Sequence, residues 1–214
     1  MKSFVITIES LEKSVQAANR CIKSGKKYGF EIERFKATTP TDNPIELIHK
    51  LGISPHGFAE KYSRVENCIA AFLSHYYLWK KAVQTKENIA IFEHDAIVTG
   101  SLPPNFKFNK VITFSKPSYG KFNTPMKIGV DGLVQKQYFG GAHGYIVSPS
   151  GAKELMEKAK IEAAPTDVFL NLDLFPWLEE LYPWICIASD SFTTIQKEAG
   201  CLAKHRYDET YEII

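Results

Sequence analysis

The sequence has no apolar run long enough to cross a bilayer, no excess of charge of either sign, and no pair of closely spaced cysteines. Each absence removes a class of protein. A spanning helix needs about 20 consecutive apolar residues, and none occurs in the 214 residues. The apolar run near the amino terminus, 4–8, is also too short for the central region of a signal peptide. A soluble, unsecreted, cytoplasmic protein is therefore expected. Lys and Arg number 26 against 24 Asp and Glu, a formal charge of +2, which gives no general electrostatic case for nucleic acid. Any charged partner must be met locally. The four cysteines, Cys21, Cys68, Cys186 and Cys201, lack CxxC or other metal-ligand spacing, so buried thiols in a reducing compartment are expected. The first strand-to-helix turn, Glu9-Ser10-Leu11-Glu12, has no glycine, which disfavours a dinucleotide-binding dehydrogenase. There is no internal repeat or low-complexity stretch. A composition of 44% hydrophobic and 23% charged residues suits one substantial core, and a single domain over 1–214 is expected.

What is present alternates strand and helix signals. A β-branched run at 4–8 is followed by Leu11, Val15, Ala18 and Ile22 at helical spacing, then by a second strand-like run at 32–37. Residues 38–63, with Pro40, Pro44, Gly52, Pro55 and Gly57 around a short helix at 45–51, read as a surface excursion. Ile69, Phe72, Leu73, Tyr76, Trp79 and Val83 predict a long core helix over 66–83. The uninterrupted apolar run 89–92 predicts a strand buried on both faces. Further strands are expected at 111–114, 144–148 and 184–188. The stretch 116–138, with Pro117, Gly120, Pro125, Gly129 and an Asp131-Gly132 hairpin signal, reads as a mobile lid. Ser148-Pro149 is a cap-plus-proline helix start, and Pro165-Thr166-Asp167 opens another helix. The order predicts an α/β fold with a mostly parallel central sheet and helices on both faces.

Glu93-His94-Asp95 follows the 89–92 strand directly. Ligands in open α/β sheets collect beyond the carboxyl ends of strands. Alternate residues of an extended strand end face the same side, which would give two carboxylates for a hard cation. A solvated acidic turn is the bland alternative.

Ala71-Phe72-Leu73-Ser74-His75-Tyr76-Tyr77-Leu78-Trp79, followed after about ten residues by Ile91-Phe92-Glu93-His94-Asp95-Ala96, resembles glycosyltransferase family 25. That family, which includes lipooligosaccharide galactosyltransferases, is marked by a serine-histidine pair on a helix and a strand ending in Glu-Asp-Asp. Gly141-Ala142-His143-Gly144-Tyr145-Ile146-Val147-Ser148 and Pro165-Thr166-Asp167-Val168-Phe169-Leu170 continue the likeness in order, and 4–9 resembles the family's first strand. The resemblance implies a GT-A-like, Rossmann-like nucleotide-sugar domain. It implies an inverting, metal-dependent transfer of a hexose, galactose or glucose, from a UDP-sugar to a glycan or glycolipid acceptor such as lipooligosaccharide.

The roles implied are these. Glu93 and Asp95 would hold Mn2+ or Mg2+ in a DxD-like site, with His205 as a third ligand borrowed from GT-A enzymes generally. Thr7, Ile8, Glu9, Ser74, His75 and His143 would line the donor pocket, although His75 reads equally as a structural histidine and Ser74 as a donor to its own helix. Asp167 is the first choice for the base that takes the acceptor hydroxyl's proton, with a helix cap as its other role and Asp190 as competing base. The basic tail, Lys197, Lys204, His205 and Arg206, would fold over the diphosphate or stay solvated. Membrane contact is expected only peripherally, through the acceptor. The chain departs from the family pattern at His94, where aspartate is usual, at Thr7, where asparagine is usual, and at Ser14, where arginine is usual. Those departures motivate another reading, a decayed nucleotide-sugar or carbohydrate binding protein, and a metal-dependent phosphoesterase is a third.

Overall fold

A computed structural model describes residues 1–58, 64–189, 192–196 and 212–214. The chain opens with β1 (Lys2–Thr7), α1 (Glu12–Lys27) and β2 (Ile32–Lys36), then passes through α2 (Pro44–Lys50) to α3 (Val65–Thr85), β3 (Ile89–Glu93) and β4 (Ala96–Val98). β5 (Val111–Thr113), β6 (Gly129–Gly132), β7 (Gly144–Val147), α4 (Pro149–Ala159), α5 (Thr166–Phe169), β8 (Glu179–Tyr182) and β9 (Cys186–Ala188) follow, and β10 (Phe192–Thr193) pairs with β11 (Glu212–Ile213).

Seven strands form one sheet in the order β2-β1-β3-β7-β5-β8-β6. β2, β1 and β3 are parallel, β7 is antiparallel to both β3 and β5, β8 is parallel to β5, and β6 is antiparallel to β8. Five strands thus run one way and two the other, a mainly parallel sheet as the alternation of elements predicted, with β7 and β6 reversed within it. β7 leads into α4 at Ser148, whose hydroxyl accepts the Gly151 N–H at 3.1 Å with Pro149 in the first helical turn, and α4 packs on α3.

Strand alternation divides the core. Phe4, Ile6, Ile89, Ile91, Val111, Tyr145 and Val147 face the helical layer of α2 to α5, where Phe72, Trp79, Leu155 and Phe169 fill the space. Val5, Ala90, Phe92, Ile112 and Ile146 face the opposite layer, with Ala18 and Cys21 of α1, β4 and Phe114. Both faces are therefore covered, as the unbroken apolar run of β3 requires.

Three expectations are corrected. The strand expected at 184–188 contributes only β9, which pairs with β4 in a small separate sheet. The Asp131-Gly132 signal marks no hairpin: both residues lie within β6, paired to Glu179 and Glu180. Nor is the stretch 116–138 merely draped over the site. The buried Glu180 carboxylate accepts the N–H groups of Val134 at 2.6 Å and Gln135 at 2.9 Å, and Leu133 N–H donates to Leu178 O at 2.9 Å. Cys21, Cys68 and Cys186 are buried, and Cys201 lies outside the described residues. Burial pushes the Cys186 thiol up to about 12, so it stays protonated at neutral pH.

Candidate active site

A cleft of about 1560 Å3 opens beyond the carboxyl ends of β1 and β3. Ile8 and Ser10 after β1, Thr38 to Thr41 after β2, Ser74 and His75 of α3, and Glu93, His94 and Asp95 after β3 border it. The segment Ser118 to Asn123, Val134 to Tyr138, His143, Asp167 and Phe192 to Gln196 also line it. The α3 amino terminus holds that last segment: Arg64 N–H donates to Ile195 O at 2.8 Å and Asn67 Nδ2 to Thr194 O at 2.8 Å.

Glu93 sits at the end of a relay that begins in the core. Trp79 Nε1–H donates to the Tyr145 hydroxyl at 2.8 Å, the Tyr145 hydroxyl meets His75 Nδ1 at 2.9 Å, and His75 Nε2 meets Glu93 Oε1 at 3.2 Å. Indole only donates and a carboxylate only accepts, so one assignment satisfies every atom. Tyr145 donates its proton to Nδ1, and His75 carries its own on Nε2 and donates to Glu93. Trp79, Tyr145 and His75 are nearly fully buried, while the Glu93 side chain keeps 36% exposure. The carboxylate is thereby fixed at one oxygen, with its other side open to the cleft. Burial pushes Glu93 up, but the His75 hydrogen bond and the nearby His75, His143 and His94 outweigh it and hold the carboxylate below its ordinary range. His75 is bonded through both ring nitrogens and also borders the cleft, so its position suits the structural and the donor-pocket readings alike. Its helical spacing to Trp79 was visible in the sequence; the Tyr145 hydroxyl that joins them comes from a distant strand and was not.

Asp167 has the opposite setting. Its Oδ2 accepts from the Tyr119 hydroxyl and its Oδ1 from Val168 N–H at 2.9 Å. Burial raises its carboxyl above the ordinary value, the Tyr119 bond opposes that, and the charge of Glu93 adds to the rise. Asp167 is not the cap of α5: that position is Pro165, and Asp167 stands in the first turn. Tyr119 carried no signal in the sequence beyond its place in the glycine- and proline-rich stretch. Its ring stacks on Tyr138 at 6.3 Å, and Lys136 Nζ lies 4.4 Å from the Tyr119 ring centre and bonds its carbonyl at 2.8 Å.

The two residues flanking Glu93's position in the acidic cluster divide. Asp95 borders the cleft but follows a turn, not an extended strand, because β3 ends at Glu93 and β4 begins at Ala96. The alternation that was to align the two carboxylates is therefore broken between them. His94 Nδ1 lies 3.0 Å from Ser14 Oγ, and its ring stacks on Phe192 at 5.2 Å and 18°. Ser14 Oγ in turn accepts the Ile8 N–H at 2.9 Å. Two of the three positions that depart from the family pattern are thus bonded to one another. The third, Thr7, is buried and donates to Val5 O at 3.1 Å, outside the cleft lining.

Of the expected donor-pocket residues, Ile8, Ser74, His75 and His143 border the cleft, whereas Thr7 does not and Glu9 is exposed outside it. Ser74 is committed internally: its hydroxyl donates to Ala70 O and accepts Thr38 N–H, both at 2.9 Å, tying the β2 exit loop to α3. The glycines beside His143 serve close packing of the chain on itself. A Cβ on Gly144 would stand 2.6 Å from Ser115 Oγ, and one on Gly141, at φ +113, would stand 2.7 Å from His143 Nδ1. Asp190 and the tail residues Lys197, Lys204, His205 and Arg206 lie outside the described residues. Among the described residues no group of three His, Cys, Asp or Glu side chains is gathered as a metal cage. Two carboxylates bordering one cleft nonetheless fit the needs of magnesium, which is commonly held by one or two carboxylates together with substrate phosphates.

Residues 2–108, from β1 through β4, match glycosyltransferase family 25 (LPS biosynthesis protein). A glycosyltransferase 25 family member of Aedes aegypti is 24% identical over 183 residues, covering 76% of this chain and 30% of that protein. One of Drosophila pseudoobscura pseudoobscura is 24% identical over 181 residues, covering 75% of this chain and 28% of that protein. The chain spans less than a third of the length of these relatives. The match takes in the Ser74-His75 helix, the His94–Ser14 pair and the Glu93 strand end, and on that footing the chain belongs to glycosyltransferase family 25.

Proposed function

We propose that residues 1–214 form one GT-A-like glycosyltransferase domain that moves a hexose, galactose or glucose, from a UDP-sugar to a hydroxyl of a saccharide or glycolipid acceptor, with inversion at the anomeric carbon. One observation carries the reading: a single cleft holds two carboxylates with opposite electrostatic settings, Glu93 kept ionised and Asp167 pushed toward proton affinity. Pairs of acids tuned apart in this way are how acid and base roles are divided in one site.

In this reading Asp167 accepts the proton of the acceptor hydroxyl as that oxygen bonds the anomeric carbon. The bond from that carbon to the diphosphate breaks, and its electron pair leaves with the diphosphate. Tyr119 orients the Asp167 carboxylate, and His75 orients Glu93. Glu93 and Asp95 would hold Mn2+ or Mg2+, which would neutralise the charge growing on the leaving diphosphate. Ile8, Ser10 and Thr38 to Thr41 would face the nucleotide from the ends of β1 and β2. The bonded His94–Ser14 pair speaks against simple decay of the site, since the two departures satisfy each other's hydrogen bonds.

The test is release of uridine diphosphate from UDP-sugars with manganese, with and without saccharide acceptors. Release stimulated by an acceptor is expected. No release from any donor would count against transfer, and release of inorganic phosphate would favour a phosphoesterase.

A further inference from the structure

The excursion between β5 and β7 carries a surface that the transfer reading does not use. Of the ten large apolar side chains exposed among the described residues, four lie within thirteen residues of it: Phe122 (36% exposed), Met126 (101%), Ile128 (77%) and Val134 (52%). Lysines are interleaved. Residues 116–136 contain Lys116, Lys121, Lys127 and Lys136 against the single acid Asp131, which pairs with Lys127 at 3.1 Å and leaves the segment a net positive charge, in a chain whose formal charge is only +2. Lys116, Lys121 and Lys127 are exposed.

The tip is presented on a fixed base. Asn123 N–H donates to Gln135 O at 2.9 Å and Asn123 Nδ2 to Val134 O at 3.1 Å, which draws the two arms together. The Phe122 ring meets Trp184 edge-on at 5.7 Å, and Glu180 anchors Val134 and Gln135. The arms, through Lys121, Phe122, Val134 and Lys136, border the cleft, while Met126, Lys127 and Ile128 do not.

Exposed apolar side chains concentrated in one short segment suit a docking surface. Apolar tips set among lysines suit an anionic lipid surface, where the apolar groups enter the headgroup boundary and the ammonium groups stay with the phosphates. A second copy of the same face would instead oppose lysine to lysine, which costs binding. We propose that Met126, Lys127 and Ile128, with Phe122 and Val134 beside them, seat the chain on the surface of an anionic bilayer next to the mouth of the cleft. Such docking stands apart from the transfer reading and is measured without turnover.

The experiment is co-sedimentation of the whole chain with vesicles of phosphatidylcholine alone or of phosphatidylcholine with phosphatidylglycerol. Binding is expected to the mixed vesicles only, weakening as salt is raised. Met126→Ser with Ile128→Ser is expected to lower partitioning at least about tenfold, and about a hundredfold or more where both apolar side chains leave water completely. Lys127→Glu should lower it at least about fivefold, the worth of one basic residue at such a surface. Both variants should keep the thermal stability of the parent and its release of uridine diphosphate from soluble donor. Equal binding to neutral vesicles, or undiminished binding by both variants, would overturn the proposal. So would concentration-dependent self-association in sedimentation velocity, without lipid, that the double variant abolishes.

Discussion

At the scale of single residues, the cleft is organised by hydrogen-bond partners drawn from elsewhere in the chain. Tyr145 is the clearest case, because its hydroxyl serves Trp79 and His75 at once. Tyr145→Phe leaves the buried indole N–H without an acceptor, and an orphaned buried donor costs about 1–3 kcal/mol. Denaturant unfolding should show that loss, and turnover should fall because His75 no longer fixes Glu93. Asp167 has a different signature. Its folded carboxyl lies above the unfolded value, so its contribution to stability is complete below the unfolded value and is lost as pH rises through the folded one. At neutral pH the ionised group is therefore a burden on the fold, and Asp167→Asn should melt no lower than the parent. Turnover of the parent should fall in acid with a midpoint above the ordinary carboxylate range, and a midpoint at the ordinary value would remove Asp167 as the titrating base.

At the scale of elements, the close packing beside β7 can be probed through Gly144, where a Cβ would come within 2.9 Å of Ser115 Oγ, the Phe114 ring and Cys186 Sγ. Gly144→Ala should destabilise by roughly 1–3 kcal/mol, readable as a lowered midpoint of thermal unfolding. The elements whose signal is local were legible in the sequence. The apolar stripe of α3, the buried run of β3 and the Ser148-Pro149 start of α4 each declare themselves within one or two turns. β4, β6 and β8 did not: β4 is three residues directly behind the acidic turn, β6 and β8 lack the continuous apolar run that marks the equally short β5 and β7, and Glu180 in β8 reads as polar surface until its backbone partners are known. The antiparallel setting of β7 and β6 was equally hidden, since nothing local in a strand marks its direction. The site splits along the same line. Glu93, Asp95 and Asp167 stand out as carboxylates after strand or helix signals, but Tyr119 bonds Asp167 across 48 residues of sequence and Tyr145 bonds His75 across 70, and neither bond leaves a local trace.

At the scale of the molecule, the sheet delivers the ends of β1, β2 and β3 to one rim of the cleft, while the excursion before β7, α5 and the carboxyl-terminal strands deliver the other. The family match covers the first rim, and Asp167 belongs to the second. The proposed chemistry depends on the two rims doing different work, Glu93 and Asp95 holding the donor and Asp167 taking the proton. Among the described residues no helix is long and apolar enough to cross a membrane. The most direct test of the division compares Asp167→Asn with the parent for manganese-dependent binding of uridine diphosphate and for its release from a UDP-sugar in the presence of acceptor. Binding should stay within about twofold while release falls by roughly a hundredfold or more, the usual worth of a general base. Unchanged release, or loss of binding in step with release, would contradict it.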